Sequence, residues 1–180
     1  EKSSIYHVYN QGNDRQPIFL NDENYRFFVS KMRKRFFDLA DILAYCLMPN
    51  HFHLLLIPTE FGVQPSKSKV PKINSGEGNS LFITNLSVAI QGLTSGYAQS
   101  FNKYYNRSGS VFRQRTKVVE TGSVDELREL VWPGTHAVNC FHYIHRNPER
   151  ANLCEHASEW AYSSYLEYAG WRVGEEVCNI

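Results

Sequence analysis

Two histidines one residue apart, His51 and His53, interrupt the apolar run AYCLMPNHFHLLLIP at residues 44–58. Side chains alternate along a strand, so both imidazoles take one face while Phe52, Leu54 and Leu56 take the other. One face reads as core, and the other is kept for chemistry or for water. A second set of polar groups lies far downstream in HAVNCFHYIHRNPERANL, residues 136–153. In helical projection Ala137, Cys140, Phe141 and Ile144 form a packing side, and His136, Asn139, Tyr143 and Asn147 form a stripe beside it. Tyr143 and Asn147 are therefore neighbours one turn apart. Pro148 lacks an amide donor and disfavours helical geometry at Asn147, so the helix is expected to end or kink there. That places the Asn147 carbonyl at a helix end, where it can reach a ligand or serve as a cap.

These residues need elements to hold them. IYHVYNQG is a strand candidate closed by glycine. Tyr25, Phe28, Val29, Met32, Phe36 and Leu39 recur at helical spacing behind a capping Asn21 or Asp22, which predicts an amphipathic helix over about 22–38. DILAYCLM and HFHLLLI flank Pro49-Asn50, a turn that folds them into a hairpin with the histidines at the start of its second strand. Phe82, Leu86, Ile90, Leu93, Tyr97, Phe101 and Tyr104 step by four or three and predict a long helix with one apolar stripe. SVFRQRTKVVE is expected to be a strand with Arg113, Arg115 and Lys117 on one face. The order strand, helix, strand, strand, helix, strand is the split βαβ pattern. The predicted fold is α+β, a ferredoxin-like antiparallel sheet with helices on one face, followed by C-terminal helices that carry Tyr143. VDELRELV is one of these, and SEWAYSSYLEYAG reads as a terminal helix ended by Gly170.

A chain of 180 residues with 42% hydrophobic content can bury one sizeable core. One domain over 1–180 is expected, with residues 59–80 as a long loop insertion and 150–180 as a C-terminal extension. Cys46, Cys140, Cys154 and Cys178 form no CxxC pair and no zinc-finger cluster, so free thiols are expected. No leader-like segment opens the sequence and no apolar run approaches a membrane span, which predicts a cytoplasmic protein without a membrane partner. The net charge of +1 hides an asymmetry: residues 1–119 hold 15 Lys/Arg against 8 Asp/Glu, and residues 120–180 hold 4 against 10. From Leu81 to Val119 there is no acid, while Lys103, Arg107, Arg113, Arg115 and Lys117 are all present. Such a surface favours a phosphate-bearing partner.

PNHFH in a strand, YIHRNPERANL downstream and FNKYYNRSGSVFRQRTK between them together resemble the single-tyrosine HUH transposases, most closely the REP-associated tyrosine transposase branch. The resemblance runs from about residue 5 to 168. It implies a nuclease that cuts one DNA strand with a tyrosine, keeps the 5' end as a phosphotyrosine and rejoins it, acting on single-stranded or hairpin DNA. By position it implies that His51 and His53 hold a divalent metal, Mg²⁺ or Mn²⁺, that Asn147 is its third ligand, and that Tyr143 attacks. The chemistry is coherent. Two imidazoles and an amide oxygen leave a metal open positions for phosphate oxygens, and a phenol becomes a useful nucleophile when its developing charge is stabilised. The cations Arg113, Arg115 and Lys117, with Lys103 and Arg107, would position phosphates without reading bases. His142 and His145 flank the tyrosine and are expected at the surface or on DNA. Relatives of this kind act as dimers or as monomers, and both states suit the sequence. Two other functions remain open: a non-catalytic ferredoxin-like module that binds single-stranded nucleic acid, and an HUH nuclease of replication or mobilisation.

Overall fold

The two periodicities, of strand and of helix, are realised in the expected order. The computed structural model describes residues 3–67, 83–125, 135–172 and 177–178. Strand β1 (Ser4–Gln11), helix α1 (Asp22–Phe36), strands β2 (Ala40–Met48) and β3 (His51–Pro58), helix α2 (Asn85–Tyr104) and strand β4 (Lys117–Ser123) follow one another along the chain. The sheet order is β2-β3-β1-β4, with every neighbouring pair antiparallel. This is the ferredoxin-like arrangement. Asn21 caps α1 by accepting the Asn24 amide at 3.0 Å, and Thr84 caps α2 by accepting the Ser87 amide at 3.1 Å. Tyr25, Phe28, Met32 and Phe36 of α1, with Leu86, Ile90, Leu93, Tyr97 and Phe101 of α2, bury one sheet face over Val8, Leu47, Phe52, Leu54 and Leu56. Tyr104, expected in the same stripe, is exposed.

The opposite face has a core of its own. Helix α3 (His136–His145) lays Ala137, Cys140 and Ile144 on Ile5, Ala44, Cys46, Met48 and Leu55. A register shift between Ile42 and Ala44 helps to set this pattern, because beyond it Ala44, Cys46 and Met48 pair with Leu55, His53 and His51. The face that carries the histidines is thus half core and half open, rather than wholly reserved for chemistry. Helices cover both sides of the sheet.

Three other expectations are corrected. The strand predicted over SVFRQRTKVVE begins only at Lys117. Val111 and Phe112 are both buried, which breaks the alternation, and Asn10 holds the segment by donating to the Arg113 carbonyl at 3.2 Å and the Thr116 hydroxyl at 3.0 Å. The terminal helix shrinks to a 3-10 turn at Ala157–Glu159 and a short helix α5 (Tyr165–Tyr168), after α4 (Asn147–Arg150). Residues 160–164 instead run along the edge of β2. The Leu47 amide donates to the Tyr162 carbonyl at 2.9 Å, the Ser164 amide to the Tyr45 carbonyl at 3.0 Å, and the Tyr45 amide to Ser164 Oγ at 2.9 Å. An edge strand's polar groups need partners, and this satisfies them better than a free helix would. Gly170 does end the segment, with φ of 71°. His145, expected near the surface, is buried and its Nε2 lies 2.7 Å from Ser164 Oγ, which ties α3 to that same edge.

The Ser66 amide donates to the Ile83 carbonyl at 2.7 Å, which joins the two ends of the described chain around residues 68–82. Residues 68–82, residues 126–134 with most of VDELRELV, expected to be helical, and residues 173–176 lie outside the described residues. The four cysteines are free. Among the described residues no helix is long and apolar enough to cross a membrane.

Candidate active site

The hairpin builds the site from its tip. Met48 pairs with His51, leaving Pro49-Asn50 as a two-residue turn. That turn is locked to the loop after β1: the Gly12 amide donates to the Asn50 carbonyl at 2.7 Å, and the Ile18 and Phe19 amides donate to the Pro49 carbonyl at 2.8 and 3.1 Å. Gly12 permits the close turn, because a Cβ there would lie 2.1 Å from the Gln16 carbonyl oxygen. Asp14 and Arg15 take positive φ values of 52° and 59° in this loop. Their conformation presents the Arg15 carbonyl to Asn50, whose Nδ2 donates to it at 3.1 Å.

This contact fixes the amide of Asn50, and Asn50 fixes a histidine. With Nδ2 committed to Arg15, Oδ1 faces His51 Nδ1 at 2.6 Å. An amide oxygen only accepts, so His51 carries its proton on Nδ1 and leaves Nε2 bare. His53 has the same pattern with another partner. Its Nδ1 lies 2.8 Å from Nε2 of His7 on β1, while its own Nε2 is buried with no hydrogen-bond partner. The imidazole rings of His51 and His53 are 5.0 Å apart and edge to face. Burial and then the neighbouring His51 and His7 lower the pKa of His53 to about 2. Burial, helped by His136, lowers that of His7 to about 4, and burial lowers His51 too. All three rings are neutral near pH 7, the state in which an imidazole can donate a lone pair to a metal.

Tyr143 projects from α3 onto this cluster. Its ring stands edge-on 5.6 Å from His53 and 6.3 Å from His7, and it is partly exposed. The Arg150 guanidinium sits over the same ring at 5.5 Å, a cation beside a phenol that would bear charge. The predicted break falls at Arg146, and α4 starts on Asn147. Asn147 is buried and donates from Nδ2 to the Tyr143 carbonyl at 3.1 Å, which leaves Oδ1 as its acceptor. Among the described residues no three His, Cys, Asp or Glu side chains form a metal site. The groups that could hold a metal are the two imidazoles of His51 and His53, and the orphaned Nε2 of His53 fits a metal.

The predicted cations do not share one surface. Lys117 pairs with Tyr9, and Tyr9 pairs with His53, so these three stand in one row across the face that carries the histidines. Arg113 and Arg115 are exposed in the irregular segment just before β4. Lys103 is exposed at the end of α2, on the far layer. Arg107 is engaged, donating to Gln16 Oε1 at 2.9 Å and lying over the Phe101 ring at 5.5 Å. Sequence reasoning missed His7, Tyr9, Asn50 and Arg150 as neighbours of the site. The alternation of IYHVY could have flagged His7 and Tyr9 as sharing a face, whereas the role of Asn50 depends on a loop contact that no local pattern displays.

No protein-family model matches the chain, and no curated protein matches it. Among solved structures it is similar to a REP-associated tyrosine transposase bound to a REP hairpin, with a TM-score of 0.59 and 15% identity over 94% of this chain and 81% of that one. The chain therefore has the fold of a tyrosine transposase.

Proposed function

We propose that this protein is a transposase-like DNA endonuclease and strand transferase, with Tyr143 as nucleophile and His51, His53 and Asn147 as ligands of a divalent metal, Mg²⁺ or Mn²⁺. The observation that carries the reading is the approach of the Tyr143 ring to within 5.6 Å of His53, whose Nε2 is buried and unpartnered. A divalent metal bound there would act as a Lewis acid on the scissile phosphate. The Tyr143 oxygen forms a bond to phosphorus as the bond from phosphorus to the 3' oxygen breaks. The phenolic proton is lost, and the departing oxygen gains one to become a 3'-hydroxyl. DNA remains on the protein through its 5' phosphate, and the reverse attack by a 3'-hydroxyl rejoins a strand without a nucleotide cofactor. Arg150 stabilises charge on the phenol oxygen, and Lys117 with Tyr9 leads the strand across the open half of the sheet. Arg113 and Arg115 hold phosphates beyond it, whereas Lys103, on the far layer, and Arg107, held by Gln16, take no part in this path. Single-stranded or hairpin DNA is the substrate, consistent with the hairpin bound in the structural neighbour. A cytoplasmic protein acting as a monomer or a dimer suits this role.

The test is covalent capture. Protein incubated with a hairpin-bearing single strand and Mn²⁺, then denatured, should give a slower-migrating adduct whose nucleotide maps by mass spectrometry to Tyr143. Tyr143→Phe keeps the ring, should still bind DNA and metal, and should form no adduct. Cleavage by Tyr143→Phe at the wild-type rate would move the nucleophile to another residue or to water. Binding with no cleavage by the wild type under any divalent metal would leave a single-strand-binding module.

A further inference from the structure

We infer that His7 is a positioning residue for His53: it accepts the Nδ1 proton of His53 and so holds that ring in the tautomer whose Nε2 bears a lone pair. The inference rests on the reading of His51 and His53 as metal ligands. His7 pairs with Leu55 across β1 and β3, and His53 pairs with Tyr9, so the two histidines are diagonal neighbours on one face. Their rings are stacked with centroids 5.0 Å apart, and the Nε2 to Nδ1 separation is 2.8 Å, a hydrogen-bond distance.

The direction of the proton follows from what lies at the other end of His53. If His7 were the donor, neutral His53 would carry its proton on Nε2, which is buried and meets no acceptor. Unpaired buried N–H groups are rarer than unpaired acceptors. If His53 is the donor, Nε2 is bare and ready for a metal. His51 shows the same arrangement independently, with Nδ1 on the Asn50 oxygen at 2.6 Å and Nε2 released. Both rings are thus held by Nδ1 and offered by Nε2, one by the hairpin turn and the other by the neighbouring strand. Partners of this kind set ring orientation and ligand basicity, and their loss costs 10- to 100-fold in metal affinity as an order of magnitude. His7 touches neither substrate nor the reacting atoms in this role.

Two readouts test it. In metal-free protein, long-range ¹H–¹⁵N spectra of the imidazoles should show wild-type His53 protonated on Nδ1, and His7→Ala should shift it toward Nε2 protonation. By calorimetry, His7→Ala should bind Mn²⁺ about 10- to 100-fold more weakly than the wild type, while His7→Gln, which can supply an acceptor oxygen, should recover much of the loss. Wild-type His53 protonated on Nε2 overturns the inference without any variant having to fold. Equal Mn²⁺ affinity in folded His7→Ala and the wild type overturns it while leaving the metal site intact. Failure of the wild type to bind Mn²⁺ at all sinks the metal reading, and the inference with it.

Discussion

Asn50→Ala separates the structural from the chemical work of the hairpin turn. The variant removes two side-chain hydrogen bonds, one to the Arg15 carbonyl at 3.1 Å and one to His51 Nδ1 at 2.6 Å. It leaves the main-chain bond from Gly12 in place. A net contribution of about 1 kcal/mol for each bond predicts a stability loss of about 1–2 kcal/mol. For a chain of this size that is a fall of roughly 2–8 °C in Tm. The metal effect is separate. Free to take either tautomer and to rotate, His51 should ligate about 10- to 100-fold more weakly. Asn50→Asp distinguishes the two effects, since it keeps an acceptor for His51 but cannot donate to Arg15. It should lose about 1 kcal/mol of stability and still bind Mn²⁺ at least as well as the wild type, its added negative charge favouring the ligand ring. Thermal melts give the first quantity and calorimetry with Mn²⁺ gives the second. An Asn50→Ala protein that melts lower yet binds Mn²⁺ within twofold of the wild type would falsify the assignment of Asn50 as the partner that orients His51.

Ile144 is fully buried beneath α3, so Ile144→Ala should cost about 2–5 kcal/mol in chemical denaturation; a loss below 1 kcal/mol would deny that the second core holds the tyrosine helix. Lys117→Ala should flatten the dependence of single-strand binding on salt, lowering the slope of log K against log salt by about 0.7 without changing base preference. A changed sequence preference at the same slope would remove its phosphate role. Burial raises the pKa of Tyr45 and of Tyr97 well above the usual phenol range, with Glu167 adding to the effect at Tyr45 and Tyr105 at Tyr97. Only the unfolded chain releases these protons near pH 10, so this contribution to stability is complete below that pH and is lost as pH rises above it, by about 1.4 kcal/mol per pH unit for each group. Absorbance at 295 nm should show the two ionising only together with unfolding; smooth titration of all eleven tyrosines in folded protein would contradict their burial.

What could be read from the sequence was what depends on neighbours in the chain. The period of α1 and α2, the two-residue turn at Pro49-Asn50, the shared face of His51 and His53, and the break after Tyr143 all follow from local spacing, and the structure keeps them. The misread elements are those decided by distant partners. Arg113, Arg115 and Lys117 alternate as a strand would, yet Asn10 and the burial of Val111 with Phe112 pull the first part of that run out of the sheet. SEWAYSSYLEYAG has helix-forming residues, but the unpaired edge of β2 claims residues 160–164.

The same distinction explains why the two histidines stand out in the sequence and the groups around them do not. A pair of imidazoles two residues apart is a pattern in one strand. The groups that decide which nitrogen each imidazole offers come from elsewhere: His7 is 46 positions from His53, and Arg15 is 35 positions from Asn50. Both supports come from β1 and the loop that follows it, which also supplies the amides that grip the hairpin turn. Substitutions in the loop at 12–16 should therefore disturb the histidines without touching them, because the Arg15 carbonyl reaches Asn50 only while that loop keeps its positive-φ turn.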